Sequence, residues 1–157
     1  MAKGAGTAEI CNRKASHRYF ILERVGAGII LSGTEVKALR EGRAHIEEAF
    51  VRVGRDGRPW LYGAHIEAYS HGTDANHLPT RPRQLLLHKR EIVLLRAAAE
   101  KEGQTVVPLR LHLERGLVKV ELGFCKGKQL YDKRDSLRRK MAEREMERAI
   151  AQRRKQG

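Results

Sequence analysis

Hydrogen-bonding and cationic side chains gather in five short clusters along this chain. They are Asn12-Arg13-Lys14-Ala15, Gly33-Thr34-Glu35-Val36-Lys37, Arg81-Pro82-Arg83 followed by Leu85-Leu86-Leu87-His88, Gly127-Lys128, and Asp132-Lys133-Arg134. Each sets cations or hydrogen-bonding groups beside turn residues or apolar anchors, an arrangement that can reach phosphates and splayed bases. Glu35-Val36-Lys37 also has the Glu-x-Lys form of some metal-dependent nucleases, in which a carboxylate holds Mg²⁺ and a lysine assists. Two features weigh against that chemistry. The motif falls on a predicted helix, where positions two apart do not share a face, and no second carboxylate cluster accompanies it. Glu35 itself has two readings: a first-turn carboxylate suited to the helix dipole, or an acceptor for a base edge or 2′-hydroxyl that rejects wrong partners by leaving them unpaired.

The charge of the chain points the same way. Lys and Arg number 32 against 19 Asp and Glu, a formal net charge of +13 in 157 residues. No fold requires that excess, and it favours a polyanionic partner. An acidic membrane surface is the weaker candidate, since no long apolar run, secretory signal or lipidation motif is present. Cys11 and Cys125 lie far apart, in no metal-ligand spacing, and are read as reduced spectators in the cytoplasm. The seven histidines, His71, His77 and His88 among them, form no HxxxH or CxxC-like cluster. Neither a metal nor any other cofactor is therefore expected.

The positive charge is concentrated at one end. Residues 126–157 hold 12 basic and 5 acidic side chains, a net of +7, whereas the first 125 residues carry +6. Composition thus divides the chain into a small, Gly-rich N-terminus over 1–9, read as disordered, a body over 10–125, and a basic tail over 126–157.

The body reads as β-rich. Tyr19-Phe20-Ile21-Leu22 opens a strand, Gly26-Ala27-Gly28 supplies a turn or tight bend, and Ile29-Ile30-Leu31 resumes as a short buried strand. Thr34 is placed as the N-cap of a helix of roughly two turns, with Val36 and Leu39 on its apolar side and Lys37 and Arg40 on a basic side. Gly42 stops it. Residues 49–53 and 59–62 pair across an Arg55-Asp56-Gly57-Arg58 hairpin turn, with Trp60 and Phe50 assigned to the core rather than to a stacking platform. Residues 70–83 form a long loop. A second helix spans roughly 88–102, with Ile92, Leu95 and Ala99 inward. Residues 105–113 and 117–124 pair across Glu114-Arg115-Gly116, and Pro108 marks an edge or bulge in the first of them. The outcome is mainly β: about six short strands and two or three peripheral helices, most economically closed as an OB-type antiparallel barrel.

The tail beyond Leu137 is built of good helix formers, but its apolar residues do not make a stripe. Leu137 and Met141 fall on one side of a helix, and Met146 and Ile150 nearly opposite. Such a helix is marginal alone in water, so the tail reads as disordered when free and helical where phosphates neutralise it.

Several motifs, in order, resemble the small protein B family of SsrA-binding proteins. These are NRKA at 12–15, AG-I-L-GTEVKALR-G from Ala27 to Gly42, R-R-LLLH-RE from Arg81 to Glu91, T-VPL-L from Thr105 to Leu111, G-VKVE from Gly116 to Glu121, and GK-YDKR from Gly127 to Arg134. The resemblance covers Ile10 to Arg134, with a basic tail behind it. Some members have asparagine at the His88 position, and lysine is common at Gln129. The resemblance implies an OB-type barrel that binds the tRNA-like domain of transfer-messenger RNA, and a tail that turns helical in the messenger channel near the decoding centre of a stalled ribosome. It implies trans-translation without catalysis by the protein, elongation factor Tu and alanyl-tRNA synthetase engaged only through the RNA, no membrane, and a monomer. Carried over by motif, the transfer-messenger RNA contacts are Asn12, Lys14, Glu35, Lys37, Arg40, Leu87, His88 and Lys119. The ribosomal contacts are Gly127, Lys128, Asp132, Lys133, Arg134, Arg138, Arg139 and Lys140. A generic ribosome-associated or assembly factor on the same barrel is the alternative.

Overall fold

The structure, a computed structural model, describes residues 9–72, 76–128 and 130–156, with the side chains of all of these except 130–133 and 156. Residues 9–127 and the segment from Lys128 onward are two separate units. In the first, two long antiparallel strands dominate: β2 (Tyr19–Ile29) and β9 (Leu117–Gly127), with β8 (Gln104–Glu114) on the far side of β9. The full sheet runs β1 (Glu9–Cys11), β8, β9, β2, β7 (Arg83–Leu86), β5 (Pro59–Tyr62), β4 (Phe50–Val53). β4 returns to pack against β8, and α3 (Lys89–Glu100) packs on both, so the sheet closes as an OB-type antiparallel barrel. A two-residue ladder of β3 (Ala44–His45) and β6 (His65–Ile66) lies apart from the seven-stranded sheet.

Alternation along the strands fills the barrel. Val118, Val120 and Leu122 of β9 point inward, while Lys119 and Glu121 stay half-exposed on the outer face. Leu61, Leu85 and Leu111, each 1% exposed, and Ile46 and Ile66, both 0%, complete the interior. Burying each such side chain stabilises the fold by about 1.5–3 kcal/mol. A satellite core of Ala15, Val107, Leu109 and Cys125 sits beneath α1 (Ala15–Arg18).

Two hairpins follow their turn chemistry. Gly57, at φ +80°, closes β4 onto β5, a backbone conformation that costs glycine nothing. Arg115 and Gly116, at φ 52° and 81°, close β8 onto β9 as a two-residue loop. The register slips between Pro108 and Arg110, so Pro108 marks a bulge.

Several expectations are revised. Gly26-Ala27-Gly28 is no turn: β2 runs straight through it, pairing Gly26 with Glu121 and Gly28 with Lys119. The irregularity comes earlier, at Leu22, where the register shifts. The described residues hold nine strands rather than six. β1, β3 and β6 are too short to show a period, and β7 lies in a leucine run that lacks alternation. Helix α2 (Gly33–Arg40) is capped by Ser32, not Thr34, and Glu35 closes a reciprocal capping box with it. Ala98 rather than Ala99 joins Leu95 in the core. Phe50 and Trp60 are half-buried and pack outside the core. The expected disorder of 1–9 falls outside the described residues except at Glu9, which is in β1. β9 carries the body two residues past 125, to Gly127.

The second unit contains α4 (Leu130–Gln156), 27 residues in one helix. Leu137, Met141, Met146 and Ile150 are all exposed along it.

Candidate nucleic-acid interface

The outer face of β7, β2, β9 and β8 carries a groove of about 640 Å³. Its floor is the bare backbone of Gly26 and Gly28, two outward positions of β2 that carry no side chain. A Cβ on Gly28 would already touch Leu86 at 3.3 Å, whereas one on Gly26 would meet nothing within 4 Å. Leu87, just after β7, His88, the N-cap of α3, and Lys119, near the start of β9, line this groove together. His88 is fixed through its backbone, whose N–H donates to Glu91 Oε1 at 2.9 Å. Its ring is left exposed.

Arg24 and Glu121 of the groove lining begin a chain of ion pairs that sequence reading missed. Arg24 donates to Glu121 Oε1 at 2.9 Å, Arg110 to Glu121 Oε2 at 3.3 Å, and Arg110 again to Glu9 Oε1 at 2.8 Å. These residues stand on four different strands, and only register brings them into line, so no local motif announces them. Arg24 and Glu121 also border a second hollow, about 200 Å³, that contains Asn12. Asn12 Nδ2 donates to the Pro108 carbonyl at 2.9 Å and its backbone N–H to the Leu109 carbonyl at 2.8 Å. Lys14 is exposed nearby, 3.9 Å from Glu48. Asn12 thus lines the second hollow, and neither it nor Lys14 lines the groove.

Glu35 is not on this surface. It is fully buried, and its two oxygens are taken up inside the protein. Oε1 accepts from the Ser32 backbone at 2.9 Å and from Arg81, and Oε2 accepts from Arg83 at 2.6 Å. Arg83, equally buried, spends its remaining donors on the carbonyls of Ala64 at 2.8 Å and Pro79 at 2.9 Å. Burial alone would raise the Glu35 carboxyl, but the hydrogen bonds from Arg81, Ser32 and Arg83 outweigh it and hold the group below the usual carboxylate range. The direct RNA contact expected of Glu35 therefore does not fit its position. With both oxygens engaged by arginines and a backbone amide, it is not placed to hold Mg²⁺ either. Its place is structural: it ties α2 to the start of β7. His77 adds a second tie, accepting from the Thr34 hydroxyl at 2.9 Å while its Nε2 donates to the Ile66 carbonyl at 2.9 Å.

That clamp leaves Lys37 and Arg40 exposed on the outer side of α2, as their spacing predicts. Lys37 Nζ stands 5.5 Å from the centre of the Tyr69 ring, a cation–π contact supplied by the loop after β6. Neither Lys37 nor Arg40 lines the groove. Among the remaining expected positions, Gly127 ends β9, where its N–H donates to the Gly103 carbonyl at 2.9 Å. Lys128 donates to Ser136 Oγ at 2.7 Å. The side chains of Asp132 and Lys133 lie outside the described residues. Arg134, Arg138, Arg139 and Lys140 are exposed on α4. Cys11 is exposed and Cys125 buried, its thiol pushed up to about 11 by burial. Among the described residues no group of three His, Cys, Asp or Glu is placed to hold a metal, and no helix is long and apolar enough to cross a membrane.

The family model for SmpB protein matches residues 9–152 of the chain, barrel and tail alike. The chain belongs to the SmpB family. An SsrA-binding protein of Shouchella clausii is 49% identical over 142 residues, covering 90% of each chain. One of Geobacillus thermodenitrificans is 46% identical over 155 residues and 99% of each. An SmpB in a solved structure described as "tmRNA-SmpB: a journey to the center of the bacterial ribosome" aligns with a TM-score of 0.66 at 43% identity, covering 86% of this chain and 96% of that one.

Proposed function

We propose that the barrel grips the tRNA-like domain of transfer-messenger RNA through the glycine-floored groove, and that the basic tail carries this complex into stalled ribosomes for trans-translation. The observation that carries this reading is the convergence of Leu87, His88 and Lys119 from three elements onto one open groove of mixed polarity. An apolar wall, a half-exposed ammonium and an exposed imidazole suit an unstacked loop with phosphates beside it. Asn12 and Lys14 extend the contact beyond the groove, and Lys37 and Arg40 add phosphate contacts from α2. Glu35 serves as a positioning residue for α2. Gly127, Lys128, Asp132, Lys133, Arg134, Arg138, Arg139 and Lys140 meet ribosomal RNA, with α4 drawing its stability from the neutralised phosphates. The protein acts in the cytoplasm by binding rather than catalysis, and elongation factor Tu and alanyl-tRNA synthetase join through the RNA.

The test is the affinity of the full chain for the isolated tRNA-like domain across a salt series. Lys119→Ala is expected to weaken binding about ten-fold, or ~1.4 kcal/mol, and to flatten the log–log salt slope by about 1, with the melting temperature unchanged. Unaltered affinity and slope would remove the groove from the interface.

A further inference from the structure

The barrel treats its arginines in two ways. Arg18, Arg24, Arg43, Arg81, Arg83 and Arg110 each lie against a carboxylate. Among the exposed arginines with no carboxylate within ion-pair distance among the described residues, Arg52, Arg55 and Arg58 share the β4–β5 hairpin, and Arg96 of α3 comes up to it. Asp56 is the one acid between Phe50 and Tyr62. Its oxygens accept from the Arg58 backbone at 3.0 Å and the Trp60 indole at 3.3 Å. Its charge is thus spent on building the turn.

The cations sit on a stiff frame. Gly54 and Arg58 close the turn with a 2.8 Å backbone bond, and a Cβ on Gly57 would stand 3.5 Å from the Arg96 guanidinium, so α3 brings its arginine up to the turn. The pairing sets Arg52 opposite Trp60 and Phe50 opposite Tyr62. The Phe50 and Tyr62 rings stack at 5.6 Å, and the Arg52 guanidinium lies 5.0 Å from the Phe50 centre. Arg52 also borders a hollow of about 330 Å³, which the apolar Leu95 shares with the polar Gln104 and Thr105. This hollow has no residue in common with the glycine-floored groove.

We infer that the β4–β5 hairpin with Arg96 is a second RNA-binding site that takes an unpaired stretch of RNA. Phosphates lie against Arg52, Arg55, Arg58 and Arg96, and a base lies by Trp60. Arginine suits this task because its planar fork meets phosphate oxygens in pairs and stacks on rings. Aromatic side chains among unpaired cations favour single strands, whose bases are free to stack, over duplex RNA, whose bases are hidden.

Trp60 is the sole tryptophan of the chain, so its fluorescence reports this hairpin and not the groove or the tail. The full-length protein is titrated with a 12-nucleotide oligouridylate. Saturable quenching is expected, with the dissociation constant raised ten-fold or more by Arg52→Gln/Arg58→Gln/Arg96→Gln. At about 0.7 per phosphate for single strands, the salt slope should flatten by about 2. Lys119→Ala should leave the quenching unchanged. Should the triple variant fail to fold, Arg55→Glu/Arg96→Glu, both on exposed positions, is expected to give the same loss. Quenching that is absent, indifferent to the arginine variants, abolished by Lys119→Ala, or matched by a polyglutamate of equal charge would overturn the site.

Discussion

The barrel and α4 both carry a surplus of arginine and lysine but hold it by different physics. In the barrel, position comes from partners. Glu121 fixes Arg24 and Arg110, Glu35 fixes Arg81 and Arg83, and the strand register fixes Lys119. On α4 the described arginines and lysines are exposed, and the apolar residues are scattered around the helix. A fixed cation can discriminate among RNA shapes, because its distance from a phosphate is set before the RNA arrives. A cation on such a helix supplies attraction and leaves the shape to the partner.

Four experiments break or sharpen this contrast. The largest effect belongs to the tail. Deleting residues 137–157 should abolish tagging of nascent chains in a reconstituted translation system, while the barrel keeps its melting temperature and its affinity for the tRNA-like domain. Tagging by the truncated protein would end the division of labour. Next comes the buried pair. Glu35→Ala leaves Arg83 without its counter-charge in the interior and should cost about 3–5 kcal/mol in chemical denaturation. A loss confined to RNA affinity, with stability intact, would return Glu35 to the RNA surface. Lys119→Ala, described above, follows at about ten-fold in affinity.

The smallest effect is a pH dependence. The folded Glu35 carboxyl titrates below its ordinary value of 4.5, so its contribution is fully present above about pH 4.5 and is lost as pH falls through the lower folded value. The stability advantage of the wild type over Glu35→Gln should therefore hold from neutrality down to that pH and shrink below it. An advantage that stays constant into strong acid would contradict the ionised, doubly paired carboxylate.

What the sequence disclosed depended on the range of the signal. Turns were legible at Asp56-Gly57 and Arg115-Gly116, because positive φ is a local demand. So were the glycine stop of α2 at Gly42, the extent of α3, and the alternation around Lys119. The groove floor was misread, since Gly26 and Gly28 carry the composition of a turn, yet as outward strand residues they form a bare surface. Glu35 was misread for a different reason. Its partners Arg81 and Arg83 lie 46 and 48 residues away, and no short motif reveals that a carboxylate beside Lys37 is turned inward. The chain of Arg24, Glu121, Arg110 and Glu9 likewise exists only through register. The family resemblance selected Leu87, His88 and Lys119 by motif, and the fold brings the three to one groove.

Competition binding at fixed salt tests the central claim most directly. The full-length protein, holding a labelled tRNA-like domain, is challenged with the same domain unlabelled or with duplex RNA of equal length. The preorganised groove predicts that the folded domain competes at least about ten-fold better, a difference of ~1.4 kcal/mol. Equal competition by the duplex would mean that phosphate attraction alone holds the RNA, and the groove would lose its role.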